Sequence, residues 1–286
     1  MHTTPAFHPS RLIGVDFSSA PSRRKPIMVA QGRRQGQVVR LTGLLGFDKL
    51  ADFGEFLAAP VDADSDTDAD RAWLGAFDFP FGLPRELVEA LGWPLAWLPL
   101  MQHYAALSRA DIRASFAAFC DARPVGGKFA HRACDLPAGA SPSMKWVNPP
   151  VAYMLHAGVP LLMAAGVDMP GLRAGDAQRI ALEAYPGLLA REILGRRSYK
   201  NDAKAKQTAE RLIARKDLLE ALDQGRTRLG LRLKLSHAQR DDLVADASGD
   251  RLDAVLCLMQ AAWALDQPGY GFPAAIDPLE GWIVSA

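Results

Sequence analysis

The segment Arg11-Leu-Ile-Gly-Val-Asp-Phe-Ser18 places an acidic residue, Asp16, at the end of an apolar run. A short apolar run that stops at turn-forming residues is typical of a buried β-strand, so this segment predicts the first strand of a sheet. An ionised carboxylate beside buried apolar residues is unfavourable unless a cation or a hydrogen-bond donor lies close to it. Asp16 is therefore the first candidate site residue.

Three further acidic residues stand at the ends of apolar elements in the same way. Asp78 follows one strand-like segment, Glu183 ends another, and Asp253 lies near the start of an apolar helix predicted over Asp250 to Leu265. Open α/β sheets carry their sites at the carboxyl ends of parallel strands, so Asp16 and Asp78 should emerge at one edge if their strands are parallel neighbours. Carboxylates in such positions predict one shared cation site.

Charge is distributed unevenly along this chain of 286 residues, although its formal net charge is only +1. A composition of 49% hydrophobic and 23% charged residues is typical of a globular protein. Residues 191–240 contain fourteen Lys or Arg and six acidic residues. This basic stretch predicts either a surface that meets phosphate groups or a set of amphipathic helices with solvated basic faces.

The cysteines and the apolar stretches indicate the cellular compartment in which the protein is expected. Cys120, Cys134 and Cys257 show no CxxC spacing, and Cys257 lies within an apolar helix, which is typical of a reducing compartment. The segment Met1 to Pro5 has neither the basic nor the apolar region of a signal peptide, and the apolar stretches fall short of a membrane span. We therefore expect a cytoplasmic protein without a membrane partner.

The order of apolar runs, turn residues and helical spacing predicts a single domain over residues 1–286 with a mixed α/β core. The predicted strands are 11–17, 26–31, 37–42, 73–79 and 179–185, and the predicted helices are 47–58, 202–223, 236–245 and 250–265. The first three strands form an antiparallel meander with a turn at 32–36, and 281–284 predicts a final strand. Residues 93–174 predict an α-helical and loop-rich insertion or cap, and residues 61–70 a polar loop.

Short segments carry a resemblance to a known family. They are Gly14-Val-Asp-Phe-Ser, Phe77-Asp-Phe-Pro-Phe-Gly-Leu-Pro, Glu183-Ala-Tyr-Pro, and Gly249-Asp-Arg-Leu-Asp-Ala with Glu280-Gly-Trp-Ile. These segments resemble the domain of unknown function 429 family (DUF429), which is described as predicted ribonuclease H-like nucleases. The order of elements is also similar to the ribonuclease H-like superfold. The resemblance implies a mixed sheet, an antiparallel meander plus parallel strands, flanked by helices.

The resemblance also implies a mechanism. In ribonuclease H-like nucleases, acids on the first strand, the fourth strand and the last helix hold two Mg²⁺ or Mn²⁺ ions, and Asp16, Asp78 and Asp253 match these positions. Two such ions activate water and stabilise the leaving oxygen in phosphodiester hydrolysis. The chain is thus expected to be a metal-dependent phosphodiesterase or nuclease. Glu183 has no equivalent in the usual nuclease set; we assign it either to catalysis or to the orientation of Lys200 or an arginine.

The loop from Gly195 to Asp202 contains the candidate substrate-binding residues. Lys200 and Arg197 are candidates for contact with a substrate phosphate, and Tyr199 is a candidate for stacking on a ring. The alternative is an ordinary basic surface loop. The expected partner is nucleic acid or a small phosphorylated substrate, and the sequence does not indicate the oligomeric state.

Two other functions are compatible with the sequence. A nucleotide-dependent phosphotransferase of the actin/hexokinase type also ends its first strand in an acid followed by a phosphate-binding turn, here Asp16-Phe-Ser-Ser, although the glycine usual in that turn is missing. Such a protein would have a cleft between two similar lobes. A non-catalytic binding protein on the same scaffold would have a dispersed set of acids.

Overall fold

A computed structural model describes residues 11–59 and 72–286 of the chain. In these ranges the strands are β1 (Arg11–Asp16), β2 (Ile27–Gln35), β3 (Val38–Phe47), β4 (Trp73–Phe77), β5 (Val167–Asp168), β6 (Asp176–Glu183) and β7 (Arg232–Lys234). The α-helices are α1 (Leu50–Ala58), α2 (Arg85–Ala90), α3 (Trp97–Ala106), α4 (Arg109–Asp121), α5 (Asp135–Ala138), α6 (Val151–Ala164), α7 (Pro186–Leu194), α8 (Ala209–Asp223), α9 (His237–Ala245) and α10 (Asp250–Ala264). The predicted polar loop at 61–70 lies outside the described residues.

The strands of the described ranges join one mixed sheet in the order β5-β6-β4-β1-β2-β3-β7. The meander β1-β2-β3 is antiparallel, whereas β4 runs parallel to β1 and β6 runs parallel to β4. β4 is buried along its whole length, as expected for a parallel strand with both faces covered. The predicted α/β class, with a mixed sheet flanked by helices, is confirmed, while the ribonuclease H-like identity stays a prediction.

Successive side chains of β1 and β4 point to opposite faces of the sheet, because side chains alternate along a strand. Leu12 and Ala76 belong to the core that contains α10, whereas Ile13 and Phe77 belong to a second core beneath the helices of residues 93–174. We call these two sides the α10 face and the insertion face. Each side chain at the end of a strand therefore meets one of two separate environments.

Gly14 allows α10 to lie directly against β1. A Cβ atom placed on Gly14 would fall 2.0 Å from the backbone nitrogen of Leu258 and 2.2 Å from the carbonyl oxygen of Ala254. Both are backbone atoms, so a side chain at this position can be accommodated only if the helix moves away from the sheet. Gly14 thus sets the distance between Asp16 on β1 and Asp253 on α10.

We expect Gly14→Ala to lower the free energy of unfolding by about 3 kcal/mol, since overpacking against backbone leaves no flexible side chain to rearrange. The matched control is Gly43→Ala in β3, where a Cβ would meet only the Gln31 side chain at 3.6 Å. There the change should stay below about 1 kcal/mol. Urea unfolding of both variants measures the difference, and equal stabilities would contradict the close contact between α10 and β1.

The segment predicted as a cap, residues 93–174, contains helices α3, α4, α5 and α6. It also contains β5, which pairs with β6 and forms one edge of the sheet. The sequence analysis missed β5 because two residues show no measurable alternation. For the same reason it missed β7, which has three residues and runs parallel to β3 at the other edge.

Several predicted boundaries were wrong, for example β3, which ends at Phe47, and α1, which begins at Leu50. The hairpin between β2 and β3 turns at Gly36, which has a φ of +58°, because both strands are longer than predicted. Helix α8 begins at Ala209, and the residues before it include a 3₁₀ turn at Lys204–Lys206. The predicted final strand is a single parallel bridge from Ile283 to Glu183. Among the helices of the described ranges, none is long and apolar enough to cross a membrane.

Candidate functional site

Asp16, Asp78 and Glu183 lie at the carboxyl edge of the parallel part of the sheet. Val15 is in register with Phe77, and Phe77 is in register with Glu183, so β1, β4 and β6 end at one level. Asp16 directly follows Val15, and Asp78 directly follows Phe77. The Asp78 N–H donates to the Val15 carbonyl at 2.9 Å. The two aspartates therefore emerge side by side.

The alternation of side chains separates Glu183 from the two aspartates. Asp16 stands four residues after Leu12, and Asp78 stands two residues after Ala76; Leu12 and Ala76 both belong to the core of the α10 face. Glu183 stands two residues after Ala181, which belongs to the core of the insertion face. Asp16 and Asp78 consequently meet α10, whereas Glu183 meets the insertion.

Asp253 is fully buried, and two neighbouring side chains occupy its carboxylate. The Tyr199 hydroxyl donates to Oδ1 and the Lys200 ammonium donates to Oδ2. Burial, and next the charge of Asp253, raises the pKa of Tyr199 well above its ordinary value, so the hydroxyl keeps its proton. Burial, the largest single influence, lowers the pKa of Lys200, but the acidic neighbours led by Asp253 together outweigh it, and the net pKa lies well above the ordinary value. Lys200 is therefore a cation at neutral pH.

The loop that carries Tyr199 and Lys200 packs tightly against the start of α10. Gly249 has a φ of +81°, and a Cβ atom there would fall 2.7 Å from the Lys200 Cβ. The Arg215 guanidinium donates to the Tyr199 carbonyl at 2.7 Å and fixes the backbone from the other side. These contacts hold the ammonium group beside Asp253.

The carboxylates of Asp16 and Asp78 have no such donors. In the described part of the chain, neither a side chain nor a backbone N–H donates to either group. Burial, and next the charge of Asp253, raises the pKa of Asp16 well above its ordinary value. The same two causes raise the pKa of Asp78 to about 7, against the opposing charge of Lys200. Asp250 adds to the repulsion at Asp16, and the two nearby lysines, Lys200 and the partly exposed Lys25, do not balance this negative charge.

The raised pKa of Asp78 predicts a pH-dependent stability of the metal-free protein. An aspartate titrates near pH 3.9 in an unfolded chain, while the pKa of Asp78 in the fold is about 7. The folded state holds the extra proton between these values, so the free energy of unfolding falls as the pH rises from about 4 to about 7. In EDTA, wild type should lose thermal stability relative to Asp78→Asn between about pH 4 and about pH 7. If the thermal stabilities of wild type and Asp78→Asn changed with pH in the same way, titration of Asp78 would not affect stability.

A buried arginine that the sequence analysis missed binds Glu183. The Arg132 guanidinium donates to Glu183 Oε1 at 2.6 Å and to Oε2 at 2.7 Å, and the Phe81 N–H donates to Oε2 at 2.9 Å. Arg132 and Glu183 are each 3% exposed. The interpretation of Glu183 as the partner of an arginine fits this geometry, and its catalytic role stays a prediction.

The remaining N–H groups of Arg132 are also used within the protein. Arg132 donates twice to Asp135 Oδ1, at 3.1 and 2.9 Å, and once to the Glu280 carbonyl at 3.0 Å. The Glu280 carboxylate accepts the Ala133 N–H at 2.8 Å. We call Arg132, Asp135, Glu183 and Glu280 the Arg132 network. It connects the insertion, the sheet and the C-terminal segment.

The candidate substrate-binding residues have three different environments. We call Asp16, Asp78 and Asp253 the aspartate cluster. Lys200 is partly exposed and reaches this cluster at Asp253. Arg197 forms an ion pair with Asp217 at 2.7 Å on the surface. The Tyr199 ring is 7% exposed and packs in the core of the α10 face, and its predicted stacking role stays a prediction. Its hydroxyl donates to Asp253.

Two cavities meet at Asp78 and Lys200. The apolar cavity, of about 300 Å³, lies between the sheet edge and the insertion, and its apolar lining includes Phe79, Pro80, Val151, Met154 and Ile283. The basic cavity, of about 200 Å³, lies beside the start of α7, and its lining includes Arg191, Arg197, Ser198 and Tyr199. Asp78, Tyr185 and Lys200 line both. A ligand at the aspartate cluster can therefore extend in two directions.

The described residues offer a divalent cation two available carboxylates. Mg²⁺ and Mn²⁺ prefer oxygen ligands, and Asp16 and Asp78 present carboxylates without competing donors. Asp253 can join them only if Lys200 and Tyr199 move, because they occupy its two oxygens. Within residues 11–59 and 72–286, no three His, Cys, Asp or Glu side chains already stand in a metal-binding arrangement. Mg²⁺ usually keeps several waters and needs one or two carboxylates, so the pair fits such an ion.

Comparison of the chain with protein-family models, with curated proteins and with solved structures finds no match. The resemblance to DUF429 therefore rests on the short segments quoted above.

Proposed function

We propose that this protein is a divalent-metal-dependent phosphodiesterase or nuclease whose site is the cluster of Asp16, Asp78 and Asp253. One observation carries the proposal. Asp16 and Asp78 stand side by side at the ends of parallel strands next to the Lys200 ammonium group, and no residue of the described ranges donates a hydrogen bond to either carboxylate. A metal ion on these carboxylates would offset their charge, and a phosphate bound there would have a cation on either side. The order of meander, β4, β6 and α10 also agrees with the ribonuclease H-like resemblance.

Asp16 and Asp78 hold the Mg²⁺ or Mn²⁺ ion in this proposal. Such an ion, when bound, polarises a phosphoryl oxygen and activates water for hydrolysis. The resemblance gives Asp253 the same role, but the donors on both of its oxygens favour a different one. Asp253 and Tyr199 act as positioning residues that fix the Lys200 ammonium.

Lys200 supplies a fixed positive charge in the place where the resemblance puts a second metal ion. An ammonium group has three N–H donors, and the contact with Asp253 uses one of them. The others are free to bind phosphate oxygens. The ammonium is held in place before the substrate binds. It can therefore stabilise the negative charge that develops during hydrolysis, and the side chain does not have to move first.

The described fold favours hydrolysis over the two alternative functions. A phosphotransferase of the actin/hexokinase type would have two similar lobes, whereas the described strands form one sheet. A non-catalytic scaffold would have dispersed acids, whereas Asp253 influences the protonation of both Asp16 and Asp78.

Hydrolysis of bis(p-nitrophenyl) phosphate and of a labelled oligonucleotide tests the proposal, each with Mg²⁺, with Mn²⁺ and with EDTA. We expect product with at least one metal ion and none in EDTA, since the ion is needed to activate water. The double variant Asp16→Asn/Asp78→Asn controls for contaminating nucleases. Equal hydrolysis in EDTA, or no hydrolysis of either substrate with either ion, would contradict the proposal.

A further inference from the structure

Tyr185 separates the apolar cavity from the basic cavity, and two neighbours hold its ring in place. A Cβ atom on Gly187 would fall 2.6 Å from the Tyr185 hydroxyl oxygen, so the ring lies across the first turn of α7. The Arg191 guanidinium carbon lies 5.2 Å from the centre of the same ring, within the range of a cation–π contact. The Tyr185 ring therefore forms a fixed wall between the two cavities.

The basic cavity has the chemistry of a phosphate site. Among the described residues, three cations, Arg191, Arg197 and Lys200, line it together with a single acid, Asp78. Arg197 also pairs with Asp217, and Lys200 with Asp253, so each keeps only part of its donors for a phosphate. Arg191 donates to the Ala138 carbonyl at 2.7 Å through one nitrogen and also hydrogen-bonds the Tyr185 hydroxyl, which leaves part of its guanidinium for an anion. Arginine binds phosphate through pairs of parallel hydrogen bonds, and about 200 Å³ is enough for a compact anion.

The apolar cavity suits a flat, weakly polar group. Its lining includes Phe79, Met154 and the Tyr185 ring. Arg132 also lines it, but all of its donors are engaged within the Arg132 network, so it offers no strong polar contact. A volume of about 300 Å³ is at the lower limit of small-molecule sites.

We propose that the substrate is a nucleotide-sized organic phosphodiester that carries a second phosphate group, rather than the interior of a long nucleic-acid strand. This inference rests on the proposed function. The scissile phosphate lies at Asp78 and Lys200, a flat ring enters the apolar cavity, and the second phosphate enters the basic cavity on the other side of Tyr185. Arg191 is thereby assigned as a residue that determines specificity.

Equilibrium binding tests the two subsites without the need for hydrolysis. Calorimetry in Mg²⁺ compares thymidine 3′,5′-bisphosphate with thymidine 5′-monophosphate. The bisphosphate should bind at least about tenfold more tightly, because charge-assisted hydrogen bonds to the second phosphate are added. Arg191→Gln should remove this gain. Arg196→Gln should keep it, because Arg196 is an exposed arginine outside both cavity linings. Equal affinities, or a gain that survives Arg191→Gln, would overturn the inference.

Cleavage then distinguishes this inference from the proposed function. A 5′-phosphorylated dinucleotide and a circular single strand are compared as substrates, and the dinucleotide should have the higher kcat/KM by at least about tenfold. Metal-dependent cleavage of both at equal rates would support the proposed function and overturn the inference. If neither is cleaved while the bisphosphate still binds with a gain that depends on Arg191, the proposed function fails and the assignment of the two subsites stands.

Discussion

Replacement of Asp16 by Asn is expected to lower the metal-dependent kcat on bis(p-nitrophenyl) phosphate by at least about 100-fold, because loss of a ligand should exceed the 10- to 100-fold effect of losing a residue that only supports one. The fold should survive the change. Asn keeps the shape of Asp, and removal of one charge relieves the repulsion from Asp253 that raises the pKa of Asp16. Thermal stability in EDTA should therefore be equal to wild type or higher.

A matched control is Asp241→Asn, which changes an exposed aspartate on α9. Its kcat and thermal stability should equal those of wild type. The comparison separates a ligand from a structural residue. If Asp16→Asn unfolds at a lower temperature than wild type both in EDTA and in Mn²⁺, Asp16 supports the fold instead of binding the ion.

Loss of Arg132 should have the largest effect on stability. Arg132→Met leaves Glu183 and Asp135 without their cation in a site where the three side chains are between 0% and 3% exposed. Removal of one partner from a buried ion pair lowers the free energy of unfolding by about 3–5 kcal/mol, because the remaining charge stays buried without compensation. Urea unfolding gives the value directly.

The control for this prediction is Arg240→Met, which breaks a surface ion pair with Glu220 whose side chains are 33% and 47% exposed. Surface pairs contribute about 0–1 kcal/mol, so the two arginines should differ clearly. The double variant Arg132→Met/Glu183→Gln should recover part of the loss, because it removes one uncompensated charge. Equal destabilisation by Arg132→Met and Arg240→Met would show that the Arg132 network does not stabilise the fold through buried charge.

The acids at the strand ends could be found from the sequence because each ends a local apolar run. Asp16, Asp78 and Asp253 needed only the recognition of a strand or helix boundary. The placement of Glu183 and Asp16 on opposite faces of the sheet could also be predicted. Side chains alternate along a strand, so Glu183 shares a face with Ala181, and Asp16 shares the other face with Leu12.

The partners of these acids could not be predicted, because they come from distant parts of the chain. Arg132 is 51 residues from Glu183 and 148 from the Glu280 carbonyl that it binds. Lys200 is 53 residues from Asp253, and its position depends on the close packing against Gly249. Nothing in the local sequence of a basic loop indicates which buried carboxylate it will meet.

Titration of Mn²⁺ into the metal-free protein by calorimetry tests most directly whether the aspartate cluster is a cation site. We expect wild type to bind the ion, and Asp16→Asn and Asp78→Asn each to weaken binding at least about 10-fold, because each removes one of the two available carboxylates. Asp241→Asn should bind as wild type does. Binding of equal strength in wild type, Asp16→Asn and Asp78→Asn, or no binding by the wild-type protein, would contradict the assignment.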